Sequence, residues 1–309
     1  MEKIVVVGSI NMDVVIRVPH IPVVGETVIA YDLKNYGGGK GANQAVSIAR
    51  LGGTVFMIGR VGNDEYGKKL YEGLKIDSID VKGIEFDYEI PTGTAYINVS
   101  ERGENNIVVY QGANKRLNIE QIEKHEDIFD EAKMCVIQLE IPVETVEFVV
   151  DLCYRKGIKV ILNPAPACEL PDTLLEKVYI LTPNETELAF LSKSKIETIA
   201  DIKKASKYLL DKGVQNVITT IGEKGSFFIN KDTEKLFDAI KVTAVDTTAA
   251  GDSFTGALAV ALSEGKNIES AIEFATYVAA LTVTKEGAQS SLPYRDEVEK
   301  FIKERGYNK

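Results

Sequence analysis

The chain has 309 residues, 45% of them hydrophobic and 27% charged, enough for a large buried core and outside the composition of a disordered chain. A formal net charge of −10 excludes a broad nucleic-acid or anionic-membrane surface, because both need a basic face, but leaves room for one local anion site. Three cysteines, Cys135, Cys153 and Cys168, share no C-x-x-C spacing, so neither a disulfide framework nor a zinc cluster is indicated and a reducing cytoplasm fits best.

The opening MEKIVVVGS has too few apolar residues for a signal peptide, and no run reaches the length of a membrane span. Residues 3–8, KIVVVG, read as a buried parallel strand ending in glycine. Residues 12–35 then alternate apolar and polar positions and are rich in β-branched residues, a pattern that recurs at 92–111. Both read as paired antiparallel strands that leave the main sheet and return to it. They form one small inserted sheet whose natural uses are a lid or a dimer contact. The remaining chain reads as one domain, 1–309, with no repeat or linker.

Residues 36–45, YGGGKGANQA, resemble a phosphate loop. The Walker template G-x-x-x-x-G-K-[ST] fails, because Gly41 follows Lys40 where the metal-binding hydroxyl belongs. A dinucleotide pattern G-x-G-x-x-A matches at Gly37, Gly39 and Ala42, but not in the first strand-to-helix turn where that fingerprint sits.

Further apolar runs at 54–61, 133–139, 158–162, 178–182 and 215–221 alternate with helical patterns at 41–51, 64–74, 143–156 and 200–212. Strand and helix in alternation predict a parallel sheet covered on both faces. His20 and His125 read as exposed bystanders, so a catalytic base is expected to be a carboxylate.

A β-rich stretch at 240–245 leads into VDTTAAGDSFTG at 245–256, where Gly251 and Asp252 open the first of three closing helical patterns, 251–263, 267–283 and 294–305. A helix N-terminus with small residues offers free N–H groups to an anion. Asp252 is either a first-turn capping acid or the proton acceptor of a phosphoryl transfer, and the stretch supplies both an anion hole and a carboxylate within one turn.

Eight segments carry a resemblance that spans nearly the whole chain: GSINMD, GGKGANQA, QLE, NPAPA, TPNETE, TTIGEKG, DTTAAGD and GAQSSLP, in that order. In these the sequence resembles the ribokinase-like carbohydrate kinase family. The resemblance implies a three-layer α/β/α fold with a mainly parallel central sheet and a small projecting β lid that also makes a homodimer contact. It implies ATP-dependent phosphorylation of the primary hydroxyl of ribose, with Asp252 as general base and the backbone of Ala249 to Asp252 as anion hole. Many relatives carry glycine at the position of Ala249, and alanine there reads as a subfamily mark.

By the same resemblance, Asn11, Asp13, Gly39, Lys40, Asn43 and Glu140 bind sugar hydroxyls, a task suited to carboxylates and amides. Asn184 meets the phosphates, Thr220, Gly222, Glu223, Lys224 and Gly225 line the nucleotide, and Gly251, Asp252 and Thr276 complete that side. Glu187 organises Mg²⁺ through water, or else serves only as a first-turn helix acid. Asp246 and Thr248 from one side, and Thr282, Lys285, Gly287 and Ser291 from the other, hold K⁺ or another monovalent cation. The readings left open are the same chemistry on deoxyribose, fructose or a nucleoside, a nicotinamide oxidoreductase, and a sugar or nucleotide sensor without catalysis.

Overall fold

Alternate residues of the first strand serve different cores: Ile4 and Val6 join one buried cluster, Val5 and Val7 another. A strand apolar on both faces must be covered on both, and a computed structural model describing residues 2–305 has that arrangement.

In chain order the strands are β1 (Lys3–Val7), β2 (Asn11–Val18), β3 (Asp32–Gly38), β4 (Thr54–Gly62), β5 (Asp80–Asp87), β6 (Gly93–Ser100) and β7 (Asn105–Tyr110). They continue with β8 (Ala132–Ile137), β9 (Lys159–Leu162), β10 (Ile180–Leu181), β11 (Asn216–Thr220), β12 (Ser226–Ile229) and β13 (Glu234–Phe237). The helices are α1 (Lys40–Arg50), α2 (Glu65–Ile76), α3 (Ile119–Lys124), α4 (Val143–Lys156) and α5 (Asp172–Leu175). After them come α6 (Glu185–Ser192), α7 (Ile199–Asp211), α8 (Ala250–Ser263), α9 (Ile268–Thr282) and α10 (Arg295–Glu304).

Nine strands form the main sheet in the order β13-β12-β11-β10-β9-β8-β1-β4-β5, parallel from β11 to β5. Helices α1, α8 and α9 bury their apolar residues in the core with Ile4 and Val6, while α4 and α7 cover the face with Val5 and Val7. The order reverses at β1, with β4 on one side and β8 on the other. At such a switch the two strand ends diverge and leave a crevice, where ligands of open α/β sheets bind.

The predicted insertion is a separate four-stranded sheet, β3-β2-β6-β7. Within each half the strands are antiparallel, as expected, but β2 and β6 join the halves as a parallel pair from Asn11↔Gly93 to Val18↔Ser100. Parallel pairing follows because both strands leave the main sheet in the same direction.

Several expectations change. Residues 240–245 form no strand; the N–H groups of Val245 and Asp246 instead both donate to Val283 O, at 2.8 and 3.2 Å. The β-branched residues there serve a loop bound to the end of α9. The hairpin β12–β13 and strand β5 were not among the strands expected; β13 is largely exposed and lacks a continuous apolar run. His125 is not exposed: it caps α3, with Nε2 3.3 Å from Glu85 Oε1. His20 is exposed and lies 2.7 Å from Glu26.

Candidate active site

At the switch point the segments following β1 and β8 meet directly. Ser9 Oγ donates to Glu140 Oε2 at 2.5 Å, and the N–H of Lys40, the first residue of α1, reaches the same oxygen at 3.2 Å. The next two α1 amides are also taken, Gly41 N by Ser9 Oγ at 3.4 Å and Ala42 N by Ser9 O at 2.9 Å. The glycine-rich loop therefore spends its helix N-terminus on the protein's own acceptors and keeps none for a phosphate. Its glycines serve close packing: a Cβ on Gly41 would lie 2.6 Å from the Gly8 carbonyl carbon, and one on Gly38 2.2 Å from Asp13 Oδ2.

The opposite holds at α8. Its N-cap, Ala249, is a non-glycine residue in the left-handed region, φ 60°, and no side chain caps the helix. Helices α2, α6, α7 and α9 are each capped by a side chain, from Asp64, Asn184, Thr198 and Asn267. A Cβ on Gly251 would meet nothing within 4 Å. This open helix end faces a cavity of about 370 Å³ whose wall includes Lys40, Asn184, Glu187, Thr220, Gly251 and Asp252.

Asp252, 6% exposed, accepts two amide hydrogen bonds: Asn43 Nδ2 to Oδ2 at 2.9 Å and Gln44 Nε2 to Oδ1 at 3.0 Å. Nearby, Asn114 accepts the Ile10 N–H at 2.8 Å and donates to Asn11 Oδ1 at 2.7 Å, which fixes the amide of Asn11. Asp13 is buried, and its carboxyl is pushed up to about 7, first by that burial, then by Glu140 and Asp252, against the pull of Lys40. Burial pulls the Lys40 ammonium down, but Asp252, Glu140, Glu187 and Asp13 together outweigh it, and its pKa stands above the ordinary lysine value. Lys40 is thus a firm cation between the carboxylates and the cavity.

On the far wall Asn184 and Glu187 close a capping box: Asn184 Oδ1 accepts Glu187 N at 2.8 Å, and Glu187 Oε2 accepts Asn184 N at 2.9 Å. Burial raises the Glu187 carboxyl despite this bond and despite Lys40. An isolated bridge pairs Asn184 with Thr220, which brings the start of α6 beside the end of β11. Gly222 also lines the cavity, whereas Glu223, Lys224, Gly225 and Thr276 are not in its wall. Gly225 has φ 101°, and a Cβ there would lie 1.9 Å from Phe237 O; the Thr276 hydroxyl donates to Ile272 O inside α9.

Asp246 joins the two segments expected to hold a cation. Its Oδ1 accepts Thr248 N and Oγ1 at 2.9 and 2.7 Å, and its Oδ2 accepts Gly287 N at 2.9 Å. Burial raises this carboxyl, but those bonds prevail and hold it below the usual range. Lys285 turns to Glu297 of α10 at 2.6 Å, while Thr282 Oγ1 donates to Val278 O and Ser291 Oγ to Ala288 O, so each of these side chains has a partner within the protein.

Five polar residues of the site carried no assigned role in the sequence reading: Ser9, Gln44, Asn114, Gln138 and Asn163. The available signal was position, since Gln138 and Asn163 each directly follow a wholly buried strand end, CVI and VIL.

Comparison with known proteins agrees with this geometry. The family model described as pfkB family carbohydrate kinase matches residues 1–295. A ribokinase of Haemophilus influenzae is 40% identical over 301 residues, covering 97% of this chain and 98% of that one. A ribokinase structure from Thermotoga maritima, 42% identical, superposes with a TM-score of 0.90 over 98% of this chain and 100% of that one. The Arabidopsis thaliana ribokinase complexed with ribose and ATP, 34% identical, gives 0.90 over 98% and 99%. The nine-stranded sheet with its small separate lid is therefore the ribokinase-like fold. With the match running through the lid, the switch-point residues and the open end of α8 alike, the chain belongs to the pfkB family of carbohydrate kinases.

Proposed function

We propose that this chain transfers the γ-phosphoryl group of ATP to the primary hydroxyl of ribose, giving ribose 5-phosphate. The observation that carries the reading is Asp252, a buried carboxylate in the first turn of an uncapped helix that opens on the cavity. Asp252 accepts the proton of the sugar hydroxyl as its oxygen attacks the phosphorus. The charge that spreads over the phosphoryl oxygens meets the N–H groups of Gly251 and Asp252 and the α8 dipole, the Ala250 N–H being taken by Thr247 O at 3.3 Å. Lys40 adds a fixed positive charge on the same side.

Asn11, Asp13, Gly39, Lys40, Asn43 and Glu140 take the sugar, and Asn184, Thr220 to Gly225, Gly251 and Thr276 take the nucleotide. No cluster of three or more His, Cys, Asp or Glu side chains suited to a metal occurs among the described residues. Glu187, in the cavity wall, is the carboxylate that would help hold a Mg²⁺ ion arriving with the nucleotide, and the ion would supply positive charge to the phosphate chain. The Asp246 bridge between the segments around Thr248 and Gly287 suits a monovalent cation held mainly by backbone carbonyls of 246–248 and 282–291.

The lid leaves Leu33, Tyr96 and Val108, which the strand register puts on one face, exposed at 58, 46 and 64%, an apolar surface that a second copy covers in a homodimer. Light scattering at micromolar concentration is expected to give twice the chain mass; a monomer would refute this contact.

A coupled kinase assay over ribose, deoxyribose, fructose and adenosine, with and without K⁺, tests the activity. Ribose is expected to give the highest kcat/KM and K⁺ to raise it. A preference above roughly tenfold for another acceptor would overturn the substrate assignment, and absence of ADP formation with every acceptor would overturn the kinase reading.

A further inference from the structure

We propose that Gln44 is a positioning residue for Asp252, aiming its carboxylate at the sugar hydroxyl, and that Gln138 holds Gln44 in place from behind. The inference rests on the reading of Asp252 as general base.

The amides form a chain with acceptor-only ends. Asn163 Nδ2 donates to the backbone carbonyl of Thr182 at 3.0 Å, which turns Asn163 Oδ1 toward Gln44. Gln44 Nε2 then donates one hydrogen to Asn163 Oδ1 at 3.3 Å and the other to Asp252 Oδ1 at 3.0 Å. Its own oxygen accepts Gln138 Nε2 at 2.6 Å. A carbonyl cannot donate and an ionised carboxylate cannot either, so reversing Gln44 would set oxygen against oxygen at Asp252 and nitrogen against nitrogen at Gln138. Only the observed direction satisfies both Asp252 and Asn163.

Gln44 and Gln138 are both fully buried, so water does not compete for these bonds. Gln138 is seated by Gly8: a Cβ there would lie 1.9 Å from Gln138 Oε1, an oxygen that has no hydrogen-bond partner. A buried amide accepts that loss where its other end has a task, and here that end reaches the base through one residue. Both oxygens of Asp252 are held by amide donors, Oδ2 by Asn43 and Oδ1 by Gln44, so the carboxylate has one orientation fixed from α1.

Replacement of Gln44 by methionine keeps the volume and removes the donors. Gln44→Met is expected to lower kcat at neutral pH at least about tenfold per ATP-binding site counted by calorimetry, with the ribose KM within about threefold. Counting sites removes any loss of folded protein from the deficit. An unchanged kcat, or a loss confined to KM, overturns the proposal. If Gln44→Met does not fold, Gln138→Met, one link further away, carries the test with the same sign and at least about threefold loss; no change in its kcat overturns the proposal equally. Asp252→Asn separates the two levels: if it is fully active the base reading fails, whereas an inactive Asp252→Asn beside a silent Gln44→Met refutes the positioning role alone.

Discussion

Asp252→Asn is expected to lower kcat by about 10²–10⁴-fold, the share of a general base, while ATP and ribose still bind. The side chain sits in the first turn of α8, whose open N-terminus is the proposed anion hole, made of backbone N–H groups that the substitution leaves in place. Asparagine has one oxygen where the carboxylate has two. Either Asn43 or Gln44 must then face a donor, since their amides point at opposite oxygens of Asp252. The resulting unpaired donor costs about 1–3 kcal/mol, so binding must be measured on folded protein, by calorimetry with each substrate alone. Undiminished turnover would sink the mechanism, and loss of ribose or ATP binding would show that Asp252 holds substrate more than it activates it.

The neighbouring carboxylate gives the opposite sign of stability effect. Asp13→Asn is expected to stabilise the unliganded protein by on the order of 3–4 kcal/mol in mildly alkaline buffer, while weakening ribose binding at least about tenfold through loss of charge-assisted hydrogen bonds. In the folded protein the Asp13 carboxyl is raised from 3.8 to about 7, so the native state retains a proton that the unfolded chain has already released. Wild-type stability therefore falls as pH rises through that window and the loss is complete above it, whereas asparagine titrates nowhere in the range. The variant's advantage should be near zero at the acid end of the window, grow across it, and then level off. Denaturant titrations at several pH values measure this difference, and parallel curves would refute it. Ribose hydroxyls need Asp13 as an acceptor, so wild-type ribose affinity should weaken below about pH 7, and that dependence should vanish in the variant.

The two substitutions illustrate what was legible in the sequence. Asp252 was readable because its task is local: small residues, glycine and an acid at a strand-to-helix junction describe a helix end open to an anion within one turn. The main strands were readable for a similar reason, since a run such as KIVVV can be buried only with both faces covered. Gln44 and Gln138 were not, although each belongs to a quoted motif or sits beside one. Their partners are 208 and 94 residues away along the chain, and nothing in their neighbourhood distinguishes a buried amide chain from a solvated one. The stretch 240–245 failed conversely: its β-branched composition favours strand, but the backbone at its end is tied to the end of α9, where Val245 and Asp246 both donate to Val283 O.

The glycine-rich stretch YGGGKGANQA shows where the two sources of information divide. Composition and spacing determined that the loop makes a close backbone approach and lacks the hydroxyl of a Walker motif. Only the tertiary structure decided that the loop has no amides to spare, because Ser9 and Glu140, brought in by two other strands, consume those of its helix N-terminus, while the end of α8 stays uncapped. The sequence by itself determined the alternation of strand and helix, the lid insertion and the acid at the open helix end, all set by interactions among near neighbours. Which polar groups stay free for substrate depends on pairings between residues a hundred or more positions apart, and these exist only once the sheet order places the ends of β1 and β8 side by side.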